Sequence, residues 1–155
     1  KKQNKVGEYM RQFKEIRKRG IEFSLNVMFG LDGDTPDVFD ATLSVIKEAK
    51  APMSFIFILA PRVGTKIREQ LLNEDRILHD DWTKYCGYEC VFKPKHMSVK
   101  ELEEGFWRVH REFYSIPSIF KRLYLPPKSY TWYSTFTNLV FRWGAKHKIH
   151  PLTYY

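Results

Sequence analysis

Residues 23–35, FSLNVMFGLDGDT, constrain the fold most, because a strand, a tight turn and a helix start are compressed into thirteen positions. Phe23, Leu25, Val27 and Phe29 alternate with Ser24, Asn26 and Met28, so a strand here carries one bulky apolar face and one smaller, mixed face. Gly30 and Gly33 can take positive φ, while Asp32 and Asp34 can accept from backbone NH groups in the turn. Thr35 suits an N-cap and Pro36 a first helical position. Ligands of α/β folds bind beyond the carboxyl ends of parallel strands, so this turn is the first place to look for chemistry.

Val6, Tyr9, Met10, Phe13 and Ile16 recur at helical spacing ahead of it, with Arg11, Lys14, Arg17 and Lys18 mostly opposite and Gly20 at the stop. A second helix is expected from about Pro36 to Ala49, with Phe39, Leu43, Ile46 and Ala49 inward. The near-continuous apolar run from Met53 to Ala60 reads as a parallel strand covered on both faces. Helix, strand, helix, strand is the order of a right-handed βαβ unit, and the fold class is α/β. Pro61 to Thr65 makes the next turn, and Thr65 can cap a short helix through Leu72. Residues 73–87 are irregular, with Trp82 and Tyr85 as anchors, and Tyr88 to Lys93 is a candidate third strand. Ser98 and Glu101 form a capping box ahead of Val99, Leu102, Phe106, Val109 and Phe113, the clearest helix of the chain. Pro117 breaks it, residues 118–124 read as a short helical piece, and Pro126-Pro127 as a stiff link. A last helix over 130–144 is apolar on so many sides that it needs a partner surface. The divisions expected are 1–72 as βα units, 73–123 as connecting segment and long helix, and 124–155 as an aromatic, basic helical tail.

Two parallel strands cannot close a barrel and would leave unpaired edges. The expectation is a fragment whose N-terminal part, with further βα units, belongs to the same polypeptide; exposed edges, or self-association by edge pairing, should follow. A formal charge of +8 invites anionic partners, but its spread over several helices argues against nucleic acid. The longest apolar run is too short to span a bilayer and no signal peptide is visible, so the chain reads as cytoplasmic, with its two cysteines reduced.

NVMFGLDGDTPDVFDATLSVIKEA, then FIFILAPRVGTKIREQL, EDRILHDDWTKY and VFKPKHMSVKELEEGFWRVHREFYS, in that order, resemble the C-terminal half of radical S-adenosylmethionine enzymes. The closest group pairs that domain with an N-terminal cobalamin-binding domain and is often labelled Fe-S oxidoreductase. The likeness covers about residues 4 to 123. It implies the last strands of a partial (β/α)6 TIM-like barrel with a mainly helical C-terminal extension. It also implies S-adenosylmethionine and a 4Fe-4S cluster as cofactors, cobalamin as a further candidate, and a small-molecule or lipid substrate. Members of the family cleave S-adenosylmethionine reductively to a 5′-deoxyadenosyl radical. The cluster is held by a CxxxCxxC motif, and here the chain departs from the pattern: Cys86 and Cys90 have the first spacing, but Lys93 stands at the third position. With only two thiols the chain offers no metal set and no catalytic residue of its own, and it should be inactive alone.

In such a barrel the bulky residues of the first strand pack outward, leaving Ser24, Asn26 and Met28 to line the lumen as cofactor-binding residues, with Asn26 either an adenosine or substrate contact or a hydrogen-bonded core residue. Arg62, after the second strand, is either a ligand for a carboxylate such as that of S-adenosylmethionine or an ion-pair partner of Asp32 or Asp34. Asp32 and Asp34 read as turn residues. A second reading makes the chain a basic aromatic module that binds RNA or a membrane surface without catalysis, using Trp132, Trp143, Lys146 and Lys148.

Overall fold

A computed structural model describes residues 6–124 and 131–151. The order is α1 Val6–Lys18, β1 Ser24–Phe29, α2 Val38–Glu48, β2 Met53–Ile58, α3 Lys66–Asn73, a 3-10 turn Trp82–Lys84, α4 Val99–Phe113, α5 Ile116–Leu123 and α6 Thr131–His147. The α/β class and the βαβ unit are as expected. Helix α1 stops in a Schellman motif, with Gly20 at φ 71°, its NH on the Arg17 carbonyl and the Ile21 NH on the Ile16 carbonyl. Helix α2 begins two residues later than expected. Thr35 gives its carbonyl to Val38 in a preliminary turn, and Asp37 takes the N-cap position without a side-chain cap bond.

Strands β1 and β2 pair in parallel, Ser24 opposite Met53 through Phe29 opposite Ile58. Leu25, Val27 and Phe29 therefore share a face with Ser54, Ile56 and Ile58, and α2 and α4 cover it. Phe29 and Phe39 meet at 4.9 Å between ring centroids, and Leu102, Phe106, Val109 and Phe113 of α4 are fully buried in the same core. The capping box of α4 forms in full: Ser98 Oγ accepts from the Glu101 NH at 3.1 Å, and Glu101 Oε2 accepts from the Ser98 NH at 2.7 Å.

The expected third strand does not join this sheet. Residues 76–78 and 91–93 touch through one antiparallel bridge, Ile77 to Phe92, flanked by bonds from the Leu78 NH to Val91 and from the Lys93 NH to Arg76. The free edge of β2 is instead satisfied from elsewhere. The Tyr114 hydroxyl donates to the Ser54 carbonyl at 2.6 Å and lies 3.4 Å from the Ser54 NH. His110 Nε2 is 3.4 Å from the Ile56 carbonyl, and the Ile58 NH donates to the Gly87 carbonyl at 2.7 Å. Gly87 is needed there: its φ is +89°, and a Cβ would sit 3.4 Å from the Ile58 carbonyl oxygen and 3.3 Å from the Phe57 ring. One edge of the two-stranded sheet is thus closed by side chains and a loop. The other, along β1, has no neighbouring strand among the described residues.

Helices α5 and α6 dock through Arg122, a buried cation that pairs with no carboxylate among the described residues. Its guanidinium donates to the carbonyls of Ala51 and Pro52 at 2.8 Å, of Phe113 at 3.0 Å, and to Asn138 Oδ1 at 2.8 Å, while its Nε reaches Ser118 Oγ at 3.3 Å. Burial lowers its pKa to about 10. Asn138 completes the joint by donating to Pro52 at 3.0 Å and to Ser134 at 2.6 Å. The expected Pro126-Pro127 link lies outside the described residues.

Candidate cofactor-facing site

Parallel pairing puts the carboxyl ends of β1 and β2 side by side, and the two turns that follow define one end of the sheet. In the first, Asp34 Oδ2 accepts from the NH groups of Gly30 at 2.9 Å and Leu31 at 3.0 Å, the turn role expected of it. Gly30 has φ +92°, and a Cβ there would lie 2.9 Å from the Phe92 ring, so the turn seats directly on the core.

Asp32 pairs with Arg76 at 2.9 Å and Lys95 at 3.1 Å and accepts from Gln70 at 2.9 Å. Burial pushes its carboxyl up, but the hydrogen bonds and charges of Arg76 and Lys95 outweigh this and hold it below the usual carboxylate range. Arg76 also pairs with Glu74 at 2.7 Å and donates from Nε to the Lys93 carbonyl at 2.7 Å. The pairing expected between Arg62 and Asp32 or Asp34 is therefore not formed. Asp32 is taken by cations of the loop beyond α3, and Asp34 by backbone. Arg62 is exposed in its turn, where its carbonyl accepts from Thr65 Oγ1 at 2.6 Å. Arg68, which sequence reasoning passed over, holds that end together by donating to the Tyr85 hydroxyl at 3.1 Å and pairing with Asp80 at 2.9 Å. It also stacks its guanidinium 4.6 Å from the Trp82 ring.

Ser24, Asn26 and Met28 project from β1 on the face away from α2 and α4, and all three are exposed, Met28 at 48%. On that face they stand beside Met53, Phe55 and Phe57 of β2. The two strands differ in cover. Phe55 meets Phe141 of α6 at 6.0 Å, and Phe57 lies against Tyr88 at 5.8 Å and His150 at 6.4 Å, whereas the β1 half stays open. The row steps about 6.6 Å from one side chain to the next. Arg62 belongs to the same end of the sheet as Met28 but is carried on a separate turn. The structure thus brings three of the four sequence-chosen residues into one open row and leaves the fourth on the rim.

Asn26 also borders a cleft of about 300 Å³ between α1, β1 and α2, lined by Tyr9, Phe13, Leu25, Val27 and Val45. Three consecutive β1 residues line it, so it runs along the strand's open edge. Of the cysteines, Cys90 is buried and its thiol donates to the Phe92 carbonyl at 3.0 Å; burial pushes its pKa up to about 11, which disfavours the thiolate a metal would need. Among the described residues no group of three or more His, Cys, Asp or Glu is placed to hold a metal ion. No described helix is long and apolar enough to cross a membrane.

No family model matches the chain, and no solved structure does. Among curated proteins it is 30% identical over 133 residues to a bacteriochlorophyllide d C-12(1)-methyltransferase of Chlorobaculum tepidum, covering 86% of this chain and 29% of that protein. It is 32% identical over 66 residues to a hopanoid C-2 methylase of Rhodopseudomonas palustris, covering 43% of this chain and 12% of the relative. A third match, 36% identical over 67 residues, is a tRNA-2-methylthio-N(6)-dimethylallyladenosine synthase of Cellvibrio japonicus, with 42% and 15% covered. The chain spans less than a third of each of these relatives. Its likeness to enzymes named for methylation and methylthiolation agrees, at that coarse level, with the resemblance to radical S-adenosylmethionine enzymes.

Proposed function

We propose that this chain supplies the cofactor-facing strands of a radical S-adenosylmethionine enzyme that transfers a methyl group to a carbon of its substrate. The supporting observation is the uneven cover of the sheet: β2 has its outer edge and both faces occupied, while β1 keeps an open edge and an open row of Ser24, Asn26 and Met28. In the proposal the open edge receives a further strand of the same polypeptide, continuing a (β/α)6 barrel, and the open row becomes lumen. Methyl transfer to carbon follows the names of two relatives, which state methylation at C-12(1) and C-2.

The residues present fit S-adenosylmethionine and do not fit the cluster. A hydroxyl, an amide and a thioether in one exposed row offer donors, acceptors and an apolar contact suited to an adenosine moiety. The exposed Arg62 guanidinium, engaged by neither carboxylate of the neighbouring turn, is suited to a carboxylate. The two thiols are too few for a 4Fe-4S cluster, and one of them is held protonated, so no step is assigned to this chain through the cluster. Bound to its cluster elsewhere in the protein, S-adenosylmethionine would supply the radical. Ser24, Asn26 and Met28 would orient the adenosyl group, and Arg62 would hold its carboxylate. Cobalamin fits the methyl-transfer reading and would be held outside this chain.

The test is product formation under anaerobic, reducing conditions after iron and sulfide reconstitution. The full-length protein should release 5′-deoxyadenosine from S-adenosylmethionine, and residues 1–155 alone should not. Absence of 5′-deoxyadenosine from a reconstituted full-length protein with a formed cluster contradicts the proposal.

A further inference from the structure

Helix α6 is amphipathic in the inverted sense. Its inward face carries Ser134, Asn138, Phe141 and Ala145, all buried, three of them small or polar. Its outward face carries Trp132, Tyr133, Phe136, Leu139, Val140 and Trp143, at 77%, 61%, 66%, 44%, 36% and 55% exposure. At 100° per residue these six fall within about 120° of one another, a continuous stripe along three turns. A neighbouring stripe on α5 and its C-cap, Ile116, Phe120 and Tyr124, is exposed as well, and the Tyr124 hydroxyl lies 2.9 Å from Thr135 Oγ1 of α6. Isolated exposed apolar residues are ordinary, but an aligned aromatic face of this extent marks a surface that is covered in use.

Charge identifies the cover. All 18 acidic residues lie at or before Glu112, with 20 of the 26 Lys and Arg. The cations are spread along the whole chain, but the 43 residues after Glu112 carry six Lys and Arg with no carboxylate side chain to balance them. Arg122 is buried, while Arg142 and Lys146 are exposed on α6 itself. A protein groove would account for the apolar stripe but gives no reason for 43 residues to exclude carboxylates. An anionic bilayer accounts for both, because apolar side chains enter the acyl boundary while flanking cations meet the headgroups. Two tryptophans and a tyrosine among the six are the side chains that favour the headgroup level.

We propose that α6 lies in the surface of an anionic lipid bilayer, with the Trp132–Trp143 stripe inserted and Arg142 and Lys146 at the headgroups. This rests on the exposure of α6 and the charge distribution and is independent of the cofactor assignment.

The experiment is vesicle co-sedimentation of the full chain with phosphatidylglycerol–phosphatidylcholine (1:1) and with pure phosphatidylcholine, alongside tryptophan emission. Binding should favour the anionic vesicles at least tenfold, weaken in 0.5 M NaCl and shift the emission to the blue. The triple variant Trp132→Ser, Phe136→Ser, Trp143→Ser changes only exposed side chains. It should keep its circular dichroism spectrum and bind at least tenfold more weakly. Failure to bind anionic vesicles, equal binding by a folded triple variant, or salt-sensitive binding to single-stranded RNA in place of vesicles overturns the proposal.

Discussion

Arg122 and His110 show how single side chains carry this structure. Arg122→Met keeps an apolar stem but removes the guanidinium, whose Cζ lies 3.8 Å from the Phe113 ring centroid, and with it every donor, leaving the Ala51 and Phe113 carbonyls and Asn138 Oδ1 unsatisfied in the interior. The expected loss is on the order of 3 kcal/mol in urea unfolding. His110 is lowered to about 4, burial first, against the opposing hydrogen bond to Ile56. The unfolded chain takes this proton near pH 6.5, so the stabilisation is complete above that pH and is lost as pH falls from about 6.5 toward 4. Its full extent is about 3 kcal/mol. His110→Gln can still donate to the Ile56 carbonyl and should make the stability profile shallower across that window, leaving the share of the neighbouring His150, which burial lowers to about 3; an unchanged slope would contradict the assignment. Of the two, Arg122 did not stand out in the sequence. Arg122 looks like one more cation of a basic helix, and only the three-dimensional meeting of Ala51, Pro52, Phe113 and Asn138 gives it work. Asn138 had a local signal, a lone amide within an aromatic helix, but no periodicity shows that the polar side of such a helix faces inward.

The contact between α2 and α4 is set by Gly105, where a Cβ would run into the Phe39 ring. Gly105→Ala should gain helix propensity and still lose about 1–3 kcal/mol, because the ring is fixed against Phe29 and cannot retreat. A more stable variant would mean that the two helices are free to separate. The elements themselves were legible where local rules and tertiary packing agree. The β1 alternation, the α4 capping box and the Gly20 stop all form as read. They were misread where distant partners decide. Residues 88–93 have strand composition, but the β2 edge they would pair with is taken by Tyr114, His110 and Gly87, so they make a single bridge to Ile77. Arg62 is near Asp32 in fold order, yet Arg76 and Lys95 arrive from a loop whose path no spacing rule gives.

At the scale of the molecule the sheet is asymmetric, closed on the β2 side and open on the β1 side, and the proposed function depends on that asymmetry. The open row was legible because strand alternation alone divides Ser24, Asn26 and Met28 from their bulky neighbours. Its isolation was not, because it depends on Phe141, Tyr88 and His150 covering the other strand. The most direct test is equilibrium titration of S-adenosylmethionine into the reconstituted full-length protein and its Asn26→Ala variant. Asn26 is exposed, so the substitution should leave thermal stability and cluster absorbance unchanged. Affinity reduced at least tenfold is the predicted result, equivalent to about 1.4 kcal/mol; unchanged affinity in a folded, cluster-loaded variant would contradict the placement of the cofactor on β1.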